Sequence, residues 1–243
     1  MSGPECCKNP PVVSSGDQCG QVEQIASLSS YVSGNSDLKT AVILVSDVYG
    51  YGAPKLRKFA DKVASAGYYV VVPDLLHGDP ATSETNLQDW VVNHRPEQTV
   101  EYVKPVIQAL KKKGMSKIGA AGFCWGAKAV VELAKEADII QVSALLHPSF
   151  VTLDDIKGVK VSIAILGGEL DIYSPPALIN EFEAALDAKP EVDHFVKIYP
   201  GMSHGWAIRY NDDDAAEVKC AEEACQDVVD WFSRYLKRNH SAL

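Results

Sequence analysis

The chain has 243 residues, of which 47% are hydrophobic, and it carries a formal net charge of −9. This length and apolar fraction are sufficient for one large α/β domain with a buried core. The acidic balance argues against nucleic acid as a partner, because neutralising phosphates requires a basic face. No apolar run is long enough to span a membrane, and the first residues lack the apolar segment of a signal peptide. We therefore expect a cytoplasmic protein with no membrane partner.

The six cysteines are expected to be free thiols, because disulfide frameworks are rare in cytoplasmic proteins. Cys6, Cys7 and Cys19 lack the paired spacing of a zinc site, so no metal is expected. Cys220 and Cys225 lie on the apolar stripe of a predicted helix, where packing is the expected role. Residues 1–20, rich in Pro, Ser, Gly and Cys, predict an irregular N-terminal arm, and residues 21–243 predict a single domain.

Short apolar runs alternate along the chain with segments whose apolar residues recur every three or four positions. Residues 22–32 alternate weakly and predict an antiparallel hairpin at a sheet edge. Buried parallel strands are predicted at 41–45, 68–72, 117–121, 142–146, 161–166 and 195–199. Helices are predicted at 54–66, 96–113, 127–135 and 175–186 and over the last part of the chain. This alternation predicts an α/β fold, with a mostly parallel central sheet and helices on both faces.

A Gly-x-Cys-x-Gly pattern, residues 122–126, lies between a predicted strand and a predicted helix. Small residues on both sides allow a sharp turn, which places the Cys124 side chain at the edge of the sheet. This is the pattern of a nucleophile elbow, with a thiol in place of the usual hydroxyl. The pattern alone is weak, since a cysteine at a strand end is as often part of the core. Its interpretation depends on whether the chain supplies partners for a nucleophile.

Two further strands end in loops that carry Asp171 and His204. Because the carboxyl ends of parallel strands meet at one edge of the sheet, we expect both side chains to approach Cys124. A histidine can remove the thiol proton, and a buried carboxylate can orient the imidazole. Glu169 is an alternative to Asp171, and Asp171 is favoured because it lies further past the strand end.

An acyl-transfer site also needs donors for a developing oxyanion. The backbone N–H after the nucleophile belongs to Trp125. The second donor is expected from the loop after the 41–45 strand, where Val48 is the predicted residue. His147 also follows a strand, and we predict that it forms part of the pocket wall.

The chain resembles the dienelactone hydrolase family, and its start at residues 5–11 resembles the plant members. The motifs that carry this resemblance are Gly122-Phe-Cys-Trp-Gly126, Gly168-Glu-Leu-Asp171 and Ser203-His204-Gly205. The nucleophile, acid and histidine also follow the chain order of the α/β-hydrolases. The resemblance implies an α/β-hydrolase fold and a cysteine hydrolase acting on small esters or lactones. It further implies an acyl-enzyme and no metal or cofactor.

Two positions depart from the pattern of the bacterial members of that family. Asp47 falls where they carry a glutamate that holds the resting thiol, and it is one methylene shorter. They hold a substrate carboxylate with two arginines; here His77 falls at the first position, and Arg209 is offset by one residue from the second. Asp47, His77 and Arg209 are predicted pocket residues, and Tyr49 and Trp206 are among its predicted aromatic walls. The substrate need not be a dienelactone.

Two other functions are also compatible with the sequence. The departures at Asp47 and His77 also suit a small-molecule binding or sensor protein on a hydrolase scaffold, with little turnover. Some plant chains of this kind are described as β-glucanases, which would need two carboxylates flanking a sugar. Glu169 and Asp171 are the only obvious close pair of carboxylates in a strand-end loop, and this function is the less favoured one. The chain is expected to be a monomer or a homodimer.

Overall fold

A computed structural model describes Pro10, Pro11 and residues 18–237 of the chain. The predicted arm at 1–20 therefore lies mostly outside the described residues. Its last residues are held against the body of the domain: the Gln18 side chain accepts a hydrogen bond from Arg57 (2.9 Å), and the Cys19 backbone N–H donates to Asp61 (3.0 Å).

One eight-stranded sheet forms the centre of the described chain, in the spatial order β1-β2-β4-β3-β5-β6-β7-β8. β1 and β2 form the predicted antiparallel edge hairpin, β2 pairs antiparallel with β4, and all other pairs are parallel. The strands are Gln21–Ile25, Leu28–Ser33, Thr40–Val45, Tyr69–Pro73, Lys117–Phe123, Val142–Leu146, Ser162–Gly168 and His194–Tyr199. The predicted mostly parallel sheet is confirmed.

Helices connect the parallel strands and cover the sheet. They are α1 Pro54–Ser65, α2 Leu87–Asn93, α3 Val100–Lys112, α4 Trp125–Ala134, α5 Leu153–Gly158, α6 Pro176–Asp187, α7 Trp206–Arg209 and α8 Ala215–Phe232, followed by a π-helical turn at Ser233–Lys237. The Pro96 region forms a turn, and α3 begins four residues later than the predicted helix.

The two faces of the sheet pack against different helices. Ile43 and Val45 of β3 point into a core shared with α3, α4, α5 and α6. Val42 and Leu44, which alternate with them, point into a second core formed with α1, α7 and α8. This alternation follows from the period of two in a strand. Helices therefore lie on both faces, as predicted, and strands β3, β5, β6 and β7 end in loops at a common edge.

Candidate active site

Cys124 lies on a strained turn between β5, which ends at Phe123, and α4, which begins at Trp125. Its backbone adopts φ 50° and ψ −113°, a conformation that costs a non-glycine residue about 1–3 kcal/mol. A Cβ at Gly122 would lie 2.5 Å from the Gly126 carbonyl oxygen, and one at Gly126 would lie 2.4 Å from the Ser46 carbonyl oxygen. Both glycines are therefore required for the close packing of this turn.

Asp171 and His204 form a buried pair at the ends of β7 and β8. Asp171 Oδ2 lies 2.8 Å from His204 Nδ1, and the two side chains are 0% and 4% exposed. The other carboxylate oxygen accepts backbone N–H bonds from Tyr173 (2.8 Å) and Ser174 (3.2 Å). Burial raises the pKa of Asp171, but these bonds and the His204 ring outweigh it and lower the pKa below its ordinary value. The carboxylate is therefore ionised at neutral pH and orients the imidazole.

The Ser149 hydroxyl lies between this pair and the thiol. Ser149 Oγ is 3.5 Å from Cys124 Sγ and 3.4 Å from His204 Nε2. The three predicted residues Cys124, Asp171 and His204, which come from distant parts of the chain, therefore meet in one crevice. The arrangement places a carboxylate, an imidazole, a hydroxyl and a thiol in one connected series, which is suited to proton transfer from the sulfur.

Sequence reasoning missed Ser149, which the loop after β6 delivers to the thiol. β6 is the neighbour of β5 in the sheet, so its carboxyl end lies beside the elbow. The Ser149 backbone N–H donates to the Cys124 carbonyl (3.0 Å), and the Cys124 N–H donates to Leu146 (3.1 Å). The missing information was the order of the strands in the sheet. Once β6 is known to lie beside β5, a polar residue just after β6 becomes a candidate site residue.

The loop after β3 packs directly against the elbow, as its predicted role requires. A Cβ at Gly126 would meet the carbonyl oxygens of both Val45 and Ser46. Val48 is fully buried in this loop, and its carbonyl accepts the Ala81 N–H at 2.8 Å. The backbone N–H of Trp125 belongs to the first turn of α4, where amides have no intrahelical acceptor. The two predicted oxyanion donors thus lie on segments in close contact.

Asp47 and Arg209 form a second buried pair beside the site. Asp47 Oδ2 and Arg209 Nη1 are 3.4 Å apart, and the side chains are 1% and 2% exposed. Asp47 Oδ1 accepts the backbone N–H of Tyr49 (3.0 Å), and the guanidinium lies over the Tyr49 ring, 5.3 Å from its centroid. The charge of Arg209 is thus balanced within the protein by Asp47, a pairing that the sequence did not predict.

His147 and Trp206 pack behind the imidazole of His204. The His147 ring lies edge-on to the rings of His204 (5.3 Å) and Trp206 (6.4 Å), and the Trp206 ring also packs on Tyr199 (4.2 Å). Within the described residues, neither ring nitrogen of His147 nor the indole nitrogen of Trp206 has a hydrogen-bond partner. Burial, followed by the nearby charges of His204 and Arg209, holds the pKa of His147 well below 6.5, so the ring is neutral.

His77 and Tyr173 each pack against another aromatic ring. His77, predicted as a pocket residue, is exposed, and its ring packs edge-on against Tyr102 of α3 at 4.6 Å. Tyr173 was not predicted, and its ring lies 4.7 Å from that of His204. Its position two residues after Asp171 was the available signal.

Glu169, the alternative acid, binds elsewhere. Its Oε2 accepts the backbone N–H of Gly201 at 2.7 Å, whereas Asp171 binds His204. Among the described residues no group of His, Cys, Asp and Glu side chains is arranged to hold a metal ion. The same part of the chain contains no helix that is both long and apolar enough to cross a bilayer.

A mostly parallel sheet whose strand-end loops bring together a thiol on a strained elbow, an imidazole and a carboxylate is characteristic of the α/β-hydrolase fold. Comparison with known proteins narrows this class. Residues 28–236 match the dienelactone hydrolase family, and the chain belongs to that family. It is therefore a member of a hydrolase family.

Two named relatives and one solved structure illustrate what this chain is similar to. A maize protein named endo-1,3;1,4-beta-D-glucanase is 43% identical over 194 residues, covering 77% of this chain; the match spans only 63% of the maize protein. The hydrolase pyvD of Aspergillus violaceofuscus is 29% identical, covering 92% of this chain and 93% of that protein. An esterase from Pyrococcus furiosus shares the fold, with a TM-score of 0.66 and 18% identity over 93% of this chain and 98% of the esterase.

Proposed function

We propose that the protein hydrolyses small esters or lactones, with Cys124 as nucleophile, His204 as general base and Asp171 as the residue that orients the imidazole. The observation that carries this proposal is the buried 2.8 Å contact between Asp171 and His204, whose other ring nitrogen faces the Ser149–Cys124 side. A free thiol has a pKa near 8.5 and needs such a base at neutral pH. Neither a metal nor a cofactor is required by this chemistry.

The first half of the proposed reaction forms an acyl-enzyme. The imidazole of His204 takes up the thiol proton, and the thiolate adds to the carbonyl carbon of the substrate. The oxyanion accepts hydrogen bonds from the backbone N–H groups of Trp125 and Val48. When the intermediate collapses, the imidazolium gives its proton to the departing alkoxide. The acyl group is left on the sulfur as a thioester.

The second half regenerates the thiol. His204 takes a proton from a water molecule as its oxygen adds to the thioester carbonyl. Collapse expels the thiolate and releases the acid, and the proton on His204 returns to the sulfur. Throughout both halves Asp171 keeps one tautomer of the imidazole and stabilises its charged form.

The pairing of Arg209 favours a neutral substrate. Its guanidinium faces the Asp47 carboxylate at 3.4 Å, and both are almost fully buried. A substrate carboxylate would have to compete with Asp47 for this charge. We therefore infer that the acyl or alcohol group carries no carboxylate that Arg209 must bind, and that Tyr49, beneath the guanidinium, offers apolar contact.

The direct experiment compares hydrolysis of p-nitrophenyl acetate and of a simple aryl lactone by the wild type and by Cys124→Ala. We expect Cys124→Ala and His204→Ala each to lower kcat/KM by at least about 100-fold, because each removes a group that moves the proton or forms the bond. Cys225→Ala is the matched control: Cys225 is a buried cysteine on α8, and burial raises its pKa to about 12. It should retain wild-type rates.

Unchanged hydrolysis in Cys124→Ala would overturn the proposal. Thiol alkylation separates an enzyme from a sensor with little turnover. An activated Cys124 should react with iodoacetamide at pH 7 much faster than Cys220 or Cys225, in both of which burial raises the pKa. Equal rates at the three cysteines would favour the sensor.

The name of the maize relative favours glucan hydrolysis as a second candidate. Such an activity needs an acid and a second carboxylate on opposite sides of the glycosidic bond. Asp171 is bound to His204 and Glu169 to the Gly201 amide, so neither is placed as a free partner of the other. Release of reducing sugar from a mixed-linkage glucan that survives Cys124→Ala would establish this candidate.

A reducing compartment suits the proposed chemistry, because a thiolate nucleophile must stay unoxidised. No disulfide joins Cys19, Cys124, Cys220 or Cys225 among the described residues, and we propose a cytoplasmic location because a reducing compartment protects the thiolate. The site needs only this chain and a small-molecule substrate, so a monomer or a homodimer would serve equally. Sedimentation of the full chain distinguishes the two states.

A further inference from the structure

Ser149 is held at the thiol by the backbone on both sides. The residue is 2% exposed, and its N–H donates to the carbonyl of Cys124 itself. His147 and Phe150, which flank the Pro148-Ser149 pair, have positive φ values of 37° and 62°. Positive φ is unfavourable for residues with such side chains, so the backbone of this loop is strained. The path places a buried hydroxyl 3.5 Å from the sulfur.

We propose that Ser149 is a fourth catalytic residue, whose hydroxyl relays the proton between Cys124 and His204 and stabilises the thiolate. The proposal rests on the proposed function of the triad and adds a residue to it. Its geometric basis is that one oxygen atom lies within hydrogen-bonding distance of both the sulfur (3.5 Å) and Nε2 of the imidazole (3.4 Å).

A hydroxyl suits this position because it donates one hydrogen bond while accepting others. In the neutral state the thiol S–H donates to Ser149 Oγ, and the Ser149 O–H donates to Nε2 of His204. On activation, the serine proton moves to Nε2 as the thiol proton moves to Oγ. The serine is neutral before and after, one S–H bond is broken and one N–H bond is formed.

In the resulting ion pair the same hydroxyl reverses its direction. The Ser149 O–H now donates to the thiolate, and the imidazolium Nε2–H donates to Oγ. Hydrogen bonds to charged groups are the stronger ones, so this arrangement favours the ionised state of the pair. An alanine would leave an apolar methyl group beside a buried anion. The relay therefore predicts a higher thiol pKa when the hydroxyl is removed.

The test measures the alkylation rate of Cys124 by iodoacetamide against pH, with the peptide identified by mass spectrometry. For Ser149→Ala we expect the pH at which the alkylation rate is half-maximal, the midpoint, to rise by about one to two units. This rise is equivalent to roughly 10- to 100-fold less thiolate below the midpoint. The conservative variant Ser149→Thr retains a hydroxyl, so its alkylation midpoint should lie close to that of the wild type. Ser149→Gly repeats the test with a smaller side chain if the alanine variant does not fold.

Ser143→Ala is the matched control. Ser143 is a fully buried serine on β6, and its hydroxyl bonds to the Ser162 carbonyl (3.3 Å), away from the elbow. Its midpoint should equal that of the wild type. A folded Ser149→Ala or Ser149→Gly with an unshifted midpoint would overturn the relay. Alkylation needs no ester, so a shifted midpoint in a protein that hydrolyses no ester would uphold the relay while refuting the proposed function.

Discussion

Replacing Gly126 with alanine tests the packing that holds the elbow against the β3 loop. The added Cβ would lie 2.4 Å from the Ser46 carbonyl oxygen, 2.5 Å from the Val45 carbonyl oxygen and 2.7 Å from Val45 Cγ1. An ordinary contact to carbon is about 3.5 Å or more, so α4 or the loop must move by roughly 1 Å. Two of the three obstacles are backbone atoms, which cannot rotate away.

This shift should affect both stability and activity. Overpacking of a rigid site costs about 1–3 kcal/mol, which lowers the Tm of a chain this size by roughly 2–12 °C. The moving segments carry Val48 and Trp125, the two proposed oxyanion donors. A displacement of about 1 Å at such a site lowers kcat/KM by roughly 100-fold. Thermal unfolding followed by circular dichroism and hydrolysis of p-nitrophenyl acetate measure the two effects.

Gly52→Ala is the matched control for this substitution. Gly52 lies in the exposed loop before α1, and the nearest atom to an added Cβ is an Arg57 nitrogen 4.0 Å away. The control should unfold and react like the wild type. If Gly126→Ala is as stable and as active as Gly52→Ala, the account of the elbow is wrong.

Substitutions at Asp171, Arg209 and His147 test neighbouring features. Asp171→Asn should lower kcat/KM by at least about 100-fold with an unchanged fold, since the amide no longer stabilises the imidazolium; an activity assay beside a circular dichroism spectrum checks this. Arg209→Met should destabilise by about 3–5 kcal/mol because it removes the cation that pairs with the buried Asp47 carboxylate, and Asp47→Asn in the same chain should recover part of that loss in urea unfolding. His147 is neutral when folded but titrates near 6.5 when unfolded, so the unfolded state binds more protons below that pH and the free energy of unfolding falls as pH falls. In His147→Phe this decline between pH 6.5 and 5 should be shallower; an equal slope would contradict the assignment.

The sequence predicted the parts of the site that strand ends determine. Cys124, Asp171 and His204 each follow a strand, and parallel strands bring such positions to one edge of the sheet whatever the loop details. The choice of Asp171 over Glu169 rested on the position of Asp171 further past the strand end, and the structure gives the two carboxylates different partners. Side chains two residues apart in an extended strand point to the same face, so alternation alone did not separate the two.

Some features depend on the path of a loop or on which distant residues pair with each other. These features could not be predicted from the sequence. Ser149 reaches the thiol only because His147 and Phe150 adopt positive φ values, which nothing in their residue types requires. The Asp47–Arg209 pair joins the loop after β3 to α7, and a single sequence gives no signal for which buried charges meet. The resemblance placed Arg209 among the predicted pocket residues but gave no signal of its pairing with Asp47.

The central claim is that the sulfur of Cys124 forms the covalent intermediate. Acid quenching within the first turnovers of p-nitrophenyl acetate, followed by peptide mass spectrometry, tests it most directly. The account predicts one acetyl group, on the peptide carrying Cys124, which accumulates with the burst of p-nitrophenol. An acetyl group on Ser149 or another residue instead, or continued turnover with Cys124 never acetylated, would contradict it.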